Sequence, residues 1–170
     1  TAGRVHIENI KNKMILENIA CEKISKIFKD KYGERFEYKN KILSIEVIDN
    51  FGTILPQVPV WITTLHLNCM TVKYDQIAIG YVMNDDAISY IDDIKNYYYS
   101  VKGLVYDKIP ELIFPLSKWK KSQIINSFNE EGYSNILKLI WVCEKPKKNK
   151  PCNECNPCKR WISENIKIKK

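Results

Sequence analysis

The residues with the clearest chemistry are four cysteines near the C-terminus: Cys143, Cys152, Cys155 and Cys158. A thiolate is a soft ligand, and four of them complete a tetrahedral Zn²⁺ site with no open coordination position. The two-residue spacers let neighbouring thiolates reach one ion. Such a closed site is structural, because it holds together a loop that has too little apolar surface to fold alone.

Two other chemistries are compatible with this cysteine pattern. A Cys-x2-Cys-x2-Cys run also suits a [4Fe–4S] cluster, although the Cys-Pro ending of the ferredoxin pattern is absent. Disulfides would require an oxidising compartment, whereas we expect reduced cysteines and a cytoplasmic protein. Cys21 and Cys69 lie in apolar, periodic stretches and are predicted to be inert core thiols.

The charge of the chain is concentrated at its C-terminal end. Residues 143–170 contain nine Lys or Arg against three Glu, which is a net charge of +6 out of +7 for the 170-residue chain. A basic end attracts phosphate in a nucleotide or a nucleic acid, but it also serves as a solubilising tail. No apolar stretch approaches the length of a membrane span, so we expect no membrane association.

The apolar residues alternate between helical and extended periodicity along the chain. They predict, in order, a helix over 8–31, a strand over 42–48, a helix over 59–73, a strand over 76–82, a helix over 88–101, an extended piece over 110–116 and a helix from Ser117 to Glu131. Residues 59–73 also have the composition of a strand. We favour a helix there because a strand follows at once. Such alternation is typical of an α/β fold with a parallel sheet, in which ligands bind at the carboxyl ends of the strands.

An acidic segment directly follows the predicted strand 76–82. It contains Asp85, Asp86, Asp92 and Asp93, together with Tyr90. A carboxylate there could accept two hydrogen bonds from the N1–H and 2-amino groups of a guanine-type base, and Tyr90 could stack on that base. In the alternative interpretation, Asp85 or Asp86 only caps the next helix and the other carboxylates are solvated.

Three segments resemble, in matching order, those of the 7-cyano-7-deazaguanine synthases, which are queuosine-pathway ligases of the PP-loop ATPase superfamily. They are Gly80 to Asp86-x3-Tyr90-x-Asp92, Pro115-Leu116-x4-Lys121-x-Gln123-Ile124, and Trp141-x-Cys143-x8-Cys152-x2-Cys155-x2-Cys158. In addition, His6 lies where the family has a histidine before its second helix.

The resemblance implies a fold and a set of site residues. Residues 1–141 would form a Rossmann-like parallel sheet of the adenine-nucleotide alpha-hydrolase (PP-loop) type, and residues 142–170 a zinc lobe with a basic tail. The four cysteines would bind zinc. Asp86, Tyr90 and Asp92 would face the deazaguanine, and Lys121 would be the catalytic residue near the acyl or phosphate group.

The resemblance also implies an activity and partners. The family uses ATP with Mg²⁺ to adenylate the carboxylate of 7-carboxy-7-deazaguanine, admits ammonia to form an amide, and activates that amide again to give a nitrile. The expected partners are therefore a deazapurine, ATP and ammonia. A protein or nucleic-acid acceptor and a homodimer are further hypotheses.

The sequence departs from the family at three places. The Ser-Gly-Gly-x-Asp-Ser loop that cradles ATP phosphates has no counterpart, since no two of the six glycines are close together. We therefore expect that strand and loop to precede Thr1. The alternatives are a non-catalytic relative or a zinc-ribbon module that binds nucleic acid. Pro59-Val60-Trp61-Ile62 lacks the family's arginine, and Ile91 and Asp93 replace its proline and cysteine. An amide product or attachment to a macromolecule would therefore fit as well as a nitrile.

Overall fold

A computed structural model describes residues 2–3, 11–39, 57–71, 73–101 and 109–163. The elements in chain order are β1 (Ala2–Gly3), α1 (Lys11–Tyr32), β2 (Tyr38–Lys39), α2 (Gln57–Thr71), β3 (Gln76–Ala78), α3 (Ile91–Tyr99), β4 (Glu111–Ile113), α4 (Lys121–Glu130), α5 (Ser134–Leu137) and α6 (Asn156–Ser163). Short 3₁₀ helices cover Gly33–Arg35 and Asp86–Tyr90. His6 and the predicted strand 42–48 lie outside the described residues.

The chain divides into two compact units, Thr1–Glu46 with Ile125–Lys170, and Val47–Ile124. In the first unit, β1 pairs in parallel with β2, and α1 connects them. The sequence of α1 contains no glycine or proline, and the helix ends at Tyr32, directly before Gly33, whose φ of +57° suits the left-handed position after a helix. Phe28 on α1 packs against Tyr133, with ring centroids 5.7 Å apart.

The second unit is organised around the parallel pair of β3 and β4. Gln76 lies opposite Glu111, and Ala78 opposite Ile113. Beyond the strands, the N–H of Ile79 still donates to the carbonyl of Ile113, at 3.0 Å. The buried core comprises Ile62 of α2, Ile94 and Tyr98 of α3, Ile109, and Leu112 of β4. α3 therefore connects two adjacent parallel strands and packs into the same core, as expected for a β-α-β unit.

The structure confirms mixed helices with short parallel strand pairs and revises several predicted boundaries. The helix predicted over 59–73 is confirmed as α2, which spans Gln57–Thr71. β3 ends at Ala78, short of the predicted end at Val82, and the chain turns after Val82, where the N–H of Asp85 donates to the carbonyl of Val82 at 2.8 Å. Among the described residues, none of the helices is both long and apolar enough to cross a bilayer.

The prediction that Ser117 caps α4 is wrong. The Ser117 hydroxyl donates to the carbonyl of Phe114 at 2.9 Å inside a turn, and α4 begins at Lys121. Gln123 caps the N-terminus of α4 instead, because its side-chain oxygen accepts the backbone N–H of Lys120 at 2.8 Å. This is the reciprocal half of a capping box, in which the third helical side chain reaches back to the residue before the helix.

Candidate metal centre and strand-end site

The four cysteines of the C-terminal segment come together in the first unit. Their Sγ atoms all lie within 4.8 Å of one another, and Cys143, Cys152 and Cys158 are buried. A tight turn with Asn153 at φ +61° separates Cys152 from Cys155, and α6 carries Cys158. Asparagine tolerates this left-handed conformation better than most residues, which allows both thiols to point to the same centre.

The sulfur separations favour a single ion over a cluster. Four thiolates about 2.3 Å from a tetrahedral Zn²⁺ lie about 3.8 Å apart. In a four-iron cluster, each cysteine binds a different iron, so the sulfurs must lie farther apart than around one ion. None of the four cysteines is joined in a disulfide. The arrangement therefore fits a closed four-thiolate site that could hold a metal such as zinc.

Backbone N–H groups stabilise the negative charge of a thiolate in the cysteine cluster. The N–H groups of Glu154 and Cys155 point to the sulfur of Cys152, at 3.4 and 3.3 Å, and lower the pKa of its thiol to about 6. Burial acts in the opposite direction on Cys158, where it is the largest cause of a pKa raised to about 12. A bound cation would deprotonate all four, so metal binding must release protons from the buried thiols.

A short hairpin closes the loop between the first two cysteines. Lys147 and Lys150 pair in antiparallel fashion through two backbone hydrogen bonds of 3.0 Å. The ammonium of Lys147 also contacts both carboxylate oxygens of Glu154, at 2.9 and 2.8 Å. This hydrogen bond, followed by the charges of Lys147 and Lys159, holds the pKa of Glu154 below its usual value. The hairpin is thus tied to the Cys152–Cys155 turn.

The second unit brings two of the predicted motif segments together. The acidic segment follows β3, and the segment leading to Lys121 follows β4. Because β3 and β4 are parallel neighbours, both segments begin at the carboxyl ends of the strands, on the same side of the strand pair. The N–H of Met83 donates to the carbonyl of Trp119 at 3.0 Å, so the two segments run side by side.

Asp85 connects these two segments, a role that the sequence analysis did not assign to it. One carboxylate oxygen accepts the N–H of Val82 at 2.9 Å, and the other lies 3.9 Å from the ammonium of Lys121. A partly exposed ion pair at this distance contributes about 0–1 kcal/mol to stability. Its main effect is therefore to orient the side chain of Lys121. The available signal was the residue type, since aspartate side chains in loops often accept hydrogen bonds from nearby backbone N–H groups.

The three predicted substrate residues lie on one continuous segment. Asp86 opens the 3₁₀ helix, Tyr90 ends it with 60% of its surface exposed, and exposed Asp92 lies in the first turn of α3. Neither the 3₁₀ helix, with Asp85 at its cap position, nor α3 has a side-chain cap hydrogen bond. The structure therefore does not show the side-chain hydrogen bond that helix capping by Asp85 or Asp86 requires. Substrate binding by Asp86, Tyr90 and Asp92 stays a prediction.

His66 and the three consecutive tyrosines of α3 do not form a common ligand site. His66 stacks on Tyr98 with ring centroids 5.0 Å apart, and its Nε2 lies 3.0 Å from the Tyr98 carbonyl oxygen. Tyr98 is fully buried, the hydroxyl of Tyr99 accepts the N–H of Leu112, and Tyr97 is exposed. The three consecutive tyrosines point in different directions, because successive residues of a helix lie on different faces, and they do not form one stacking platform.

Comparison with known proteins identifies the family. The family model described as "Queuosine biosynthesis protein QueC" matches residues 59–163, which is more than half of the chain. The chain therefore belongs to the QueC family, and the resemblance to the 7-cyano-7-deazaguanine synthases is confirmed. A search of curated proteins and a search of solved structures each gave no match.

Proposed function

We propose that the protein is an ATP-dependent ligase that activates the carboxylate of 7-carboxy-7-deazaguanine or a related deazapurine. The observation that carries the proposal is the extent of the family match, because residues 59–163 include the acidic segment, Lys121 and all four cysteines. The family supports ligase chemistry in queuosine biosynthesis, and the particular substrate and product are part of the proposal.

The strand-end site has groups suited to the base. Asp86 and Asp92 expose carboxylates, which are acceptors for the N1–H and 2-amino donors of a guanine-like edge. Tyr90 exposes an aromatic face two residues before Asp92, where it could stack on the bicyclic ring. These three residues recognise the base in the proposed complex, and they leave the carboxylate of the deazapurine as the reacting group.

Lys121 is the proposed catalytic residue. Adenylation of the carboxylate, followed by attack of ammonia, places negative charge on phosphate and acyl oxygens, and a fixed cation stabilises that charge. Asp85 lies close enough to orient the Lys121 ammonium without burying it. When bound, ATP with Mg²⁺ supplies the leaving group. The four-thiolate metal is structural in this scheme, because a closed coordination shell has no position for substrate.

The test is release of AMP that depends on the deazapurine. Residues 1–170 and the product of the complete reading frame, both loaded with zinc, are incubated with ATP, Mg²⁺, ammonium and 7-carboxy-7-deazaguanine. We expect the product of the complete reading frame to form AMP and a deazapurine amide or nitrile, identified by mass. If it binds the deazapurine but releases no AMP, the protein is a non-catalytic relative. If it binds no deazapurine, the substrate class is wrong.

A further inference from the structure

We propose that the four-cysteine lobe carries a binding surface for the phosphate backbone of nucleic acid, formed by the Lys147–Lys150 hairpin and by α6. This inference concerns a surface outside the strand-end site and goes beyond the proposed ligase activity. Three observations support it: the exposed positive charge that remains after internal pairing, the braced scaffold that carries the cations, and the backbone conformation that holds one of them.

The first observation is an excess of positive charge that the lobe does not neutralise. Residues 143–163 contain six Lys or Arg and two Glu. Glu154 is occupied by Lys147, which leaves Glu144 as the other carboxylate of this segment. Five cations remain, and all are exposed: Lys145, Lys148, Lys150, Lys159 and Arg160. A solvated protein face usually mixes both signs, so five cations beside one carboxylate give a field that attracts polyanions.

The second observation is that a small, braced scaffold carries these cations. Lys150 stands two residues before Cys152, and Lys159 follows Cys158 directly on α6. Lys147 ties the hairpin to Glu154, which lies between Cys152 and Cys155. A cation on a braced backbone loses less freedom on binding than one on a mobile tail, so the arrangement is prepared for contact with a partner.

The third observation is the conformation of the hairpin tip. Lys148 and Asn149 have φ values of +49° and +61°, the arrangement of a two-residue type I′ turn. This turn favours Asn-Gly, and a long side chain at its first position is sterically disfavoured. Lysine therefore gains nothing for folding at this position, and backbone outliers of this kind are a reason to look for function. Lys148 is exposed at the tip of the hairpin.

The chemistry of the cations favours nucleic acid over a single phosphate. Lysine is a point-charge partner for phosphate, and cations distributed over a hairpin and a helix match a repeating row of charges. Exposed aromatic side chains that could stack on bases are absent from residues 143–163, where Trp161 is half-buried. We therefore expect contacts to the backbone, with affinity that depends steeply on salt and weakly on base sequence.

The experiment measures binding of fluorescein-labelled 20-nucleotide RNA and DNA, single- and double-stranded, by anisotropy between 50 and 200 mM KCl. No deazapurine or ATP is present, so the result is independent of the ligase proposal. We expect log K to fall linearly with log salt, with a slope that corresponds to about three to five phosphates. Lys148→Ala/Lys150→Ala should weaken binding about tenfold or more at 50 mM KCl and reduce the slope by about two.

A matched control removes the same charge elsewhere in the first unit. Lys23→Ala/Lys26→Ala deletes two exposed lysines of α1 and should leave binding within about twofold. Metal content is measured in both variants to show that the lobe is intact. Equal losses in the two variants, or binding that does not respond to salt, would overturn the proposal. So would competition by polyglutamate as effective as that by RNA or DNA, because the partner would then be an acidic polypeptide.

Discussion

At the scale of single residues, the cysteine cluster shows how side chains far apart in sequence become one site. Cys143 lies nine residues before Cys152, yet the N–H of Cys152 points to the Cys143 sulfur at 3.2 Å. The indole N–H of Trp141 donates to the Cys143 carbonyl at 2.9 Å and fixes the chain before the hairpin. The thiols are therefore preorganised by backbone contacts before any ion is bound.

The first prediction concerns the metal. Purified protein should contain about one zinc per chain, and Cys155→Ser should lose most of it, because three thiolates bind zinc less tightly than four. The lobe should then unfold at lower temperature and become sensitive to protease, since the lysine-rich hairpin cannot pack alone. Elemental analysis and limited proteolysis measure both effects. Cys69→Ser, outside the cluster, is the control. Iron in place of zinc would contradict the prediction.

The second prediction concerns recognition of the base. Asp86→Asn and Asp92→Asn each keep the side-chain shape but replace one acceptor oxygen by a donor that faces the donors of the base. Each should weaken binding of 7-carboxy-7-deazaguanine by about 1–3 kcal/mol. Isothermal titration calorimetry gives the affinity. Asp93→Asn changes a neighbouring exposed carboxylate on the same helical turn and should have little effect. Unchanged affinity in the first two variants would remove these aspartates from the site.

The third prediction concerns Lys121. In the product of the complete reading frame, Lys121→Met should lower kcat for AMP release by about 10²-fold, because a fixed charge near the developing oxyanion is lost. KM for the deazapurine should change much less, since Asp86, Tyr90 and Asp92 are intact. Steady-state kinetics separates the two. Lys118→Met removes an exposed lysine from the same segment and should retain activity. A change in KM alone would make Lys121 a binding residue.

At the scale of elements, Tyr98 shows how α3 is fixed beside the strand pair. Its ring is fully buried in the core of the second unit, and its hydroxyl donates to the carbonyl of Pro110 at 3.0 Å, just before β4 begins. The Tyr99 hydroxyl accepts the N–H of Leu112 within β4 at 2.8 Å. Two consecutive tyrosines thus hold α3 to the strand whose carboxyl end leads to Lys121.

The fourth prediction follows from this contact. Tyr98→Phe should destabilise the protein by about 1–2 kcal/mol, because the buried carbonyl of Pro110 loses its donor while the ring volume is kept. Tyr97→Phe changes an exposed tyrosine one position earlier and should cost much less. Chemical denaturation followed by circular dichroism compares the two variants. Equal free energies of unfolding for the two variants would show that the Tyr98–Pro110 hydrogen bond does not stabilise the protein.

At the scale of the whole molecule, the nucleotide site is the point on which the ligase proposal depends. Phosphate cradles of many ATP-binding proteins consist of consecutive backbone N–H groups at a glycine-rich helix start. In residues 1–170, the six glycines are widely spaced, and Lys121 by itself is only a point charge. Tight binding of ATP needs more than one exposed cation, because water screens such a charge strongly.

The fifth prediction is that residues 1–170 alone release no AMP from ATP, with or without 7-carboxy-7-deazaguanine. The comparison is the product of the complete reading frame under the same conditions. Bound nucleotide is measured by equilibrium dialysis, so that failure to bind is distinguished from failure of the chemical step. Turnover by residues 1–170 would place the nucleotide site within this sequence and contradict the interpretation of its glycines.

The sequence determined the features that depend on local spacing and residue type. The cysteine spacing predicts one closed four-thiolate site because short spacers restrict which atoms a single ion can reach. Alternating periodicity predicts parallel strands joined by helices, and it indicates that chemically active side chains follow strand ends. The helical choice for residues 59–73 also followed from the order of elements, because a predicted strand follows them at once.

Only the tertiary structure decided how separate segments meet. It showed that Asp85 pairs with Lys121 across two loops and that Glu154 takes up Lys147. It also showed that Gln123, and not Ser117 as predicted, caps the start of α4. Such contacts depend on which parallel strands are neighbours and on how a hairpin folds back, and neither is encoded in local periodicity. Spacing along the chain therefore fixes the donor set of the metal centre, whereas the pairing of β3 with β4 fixes the neighbours of Lys121.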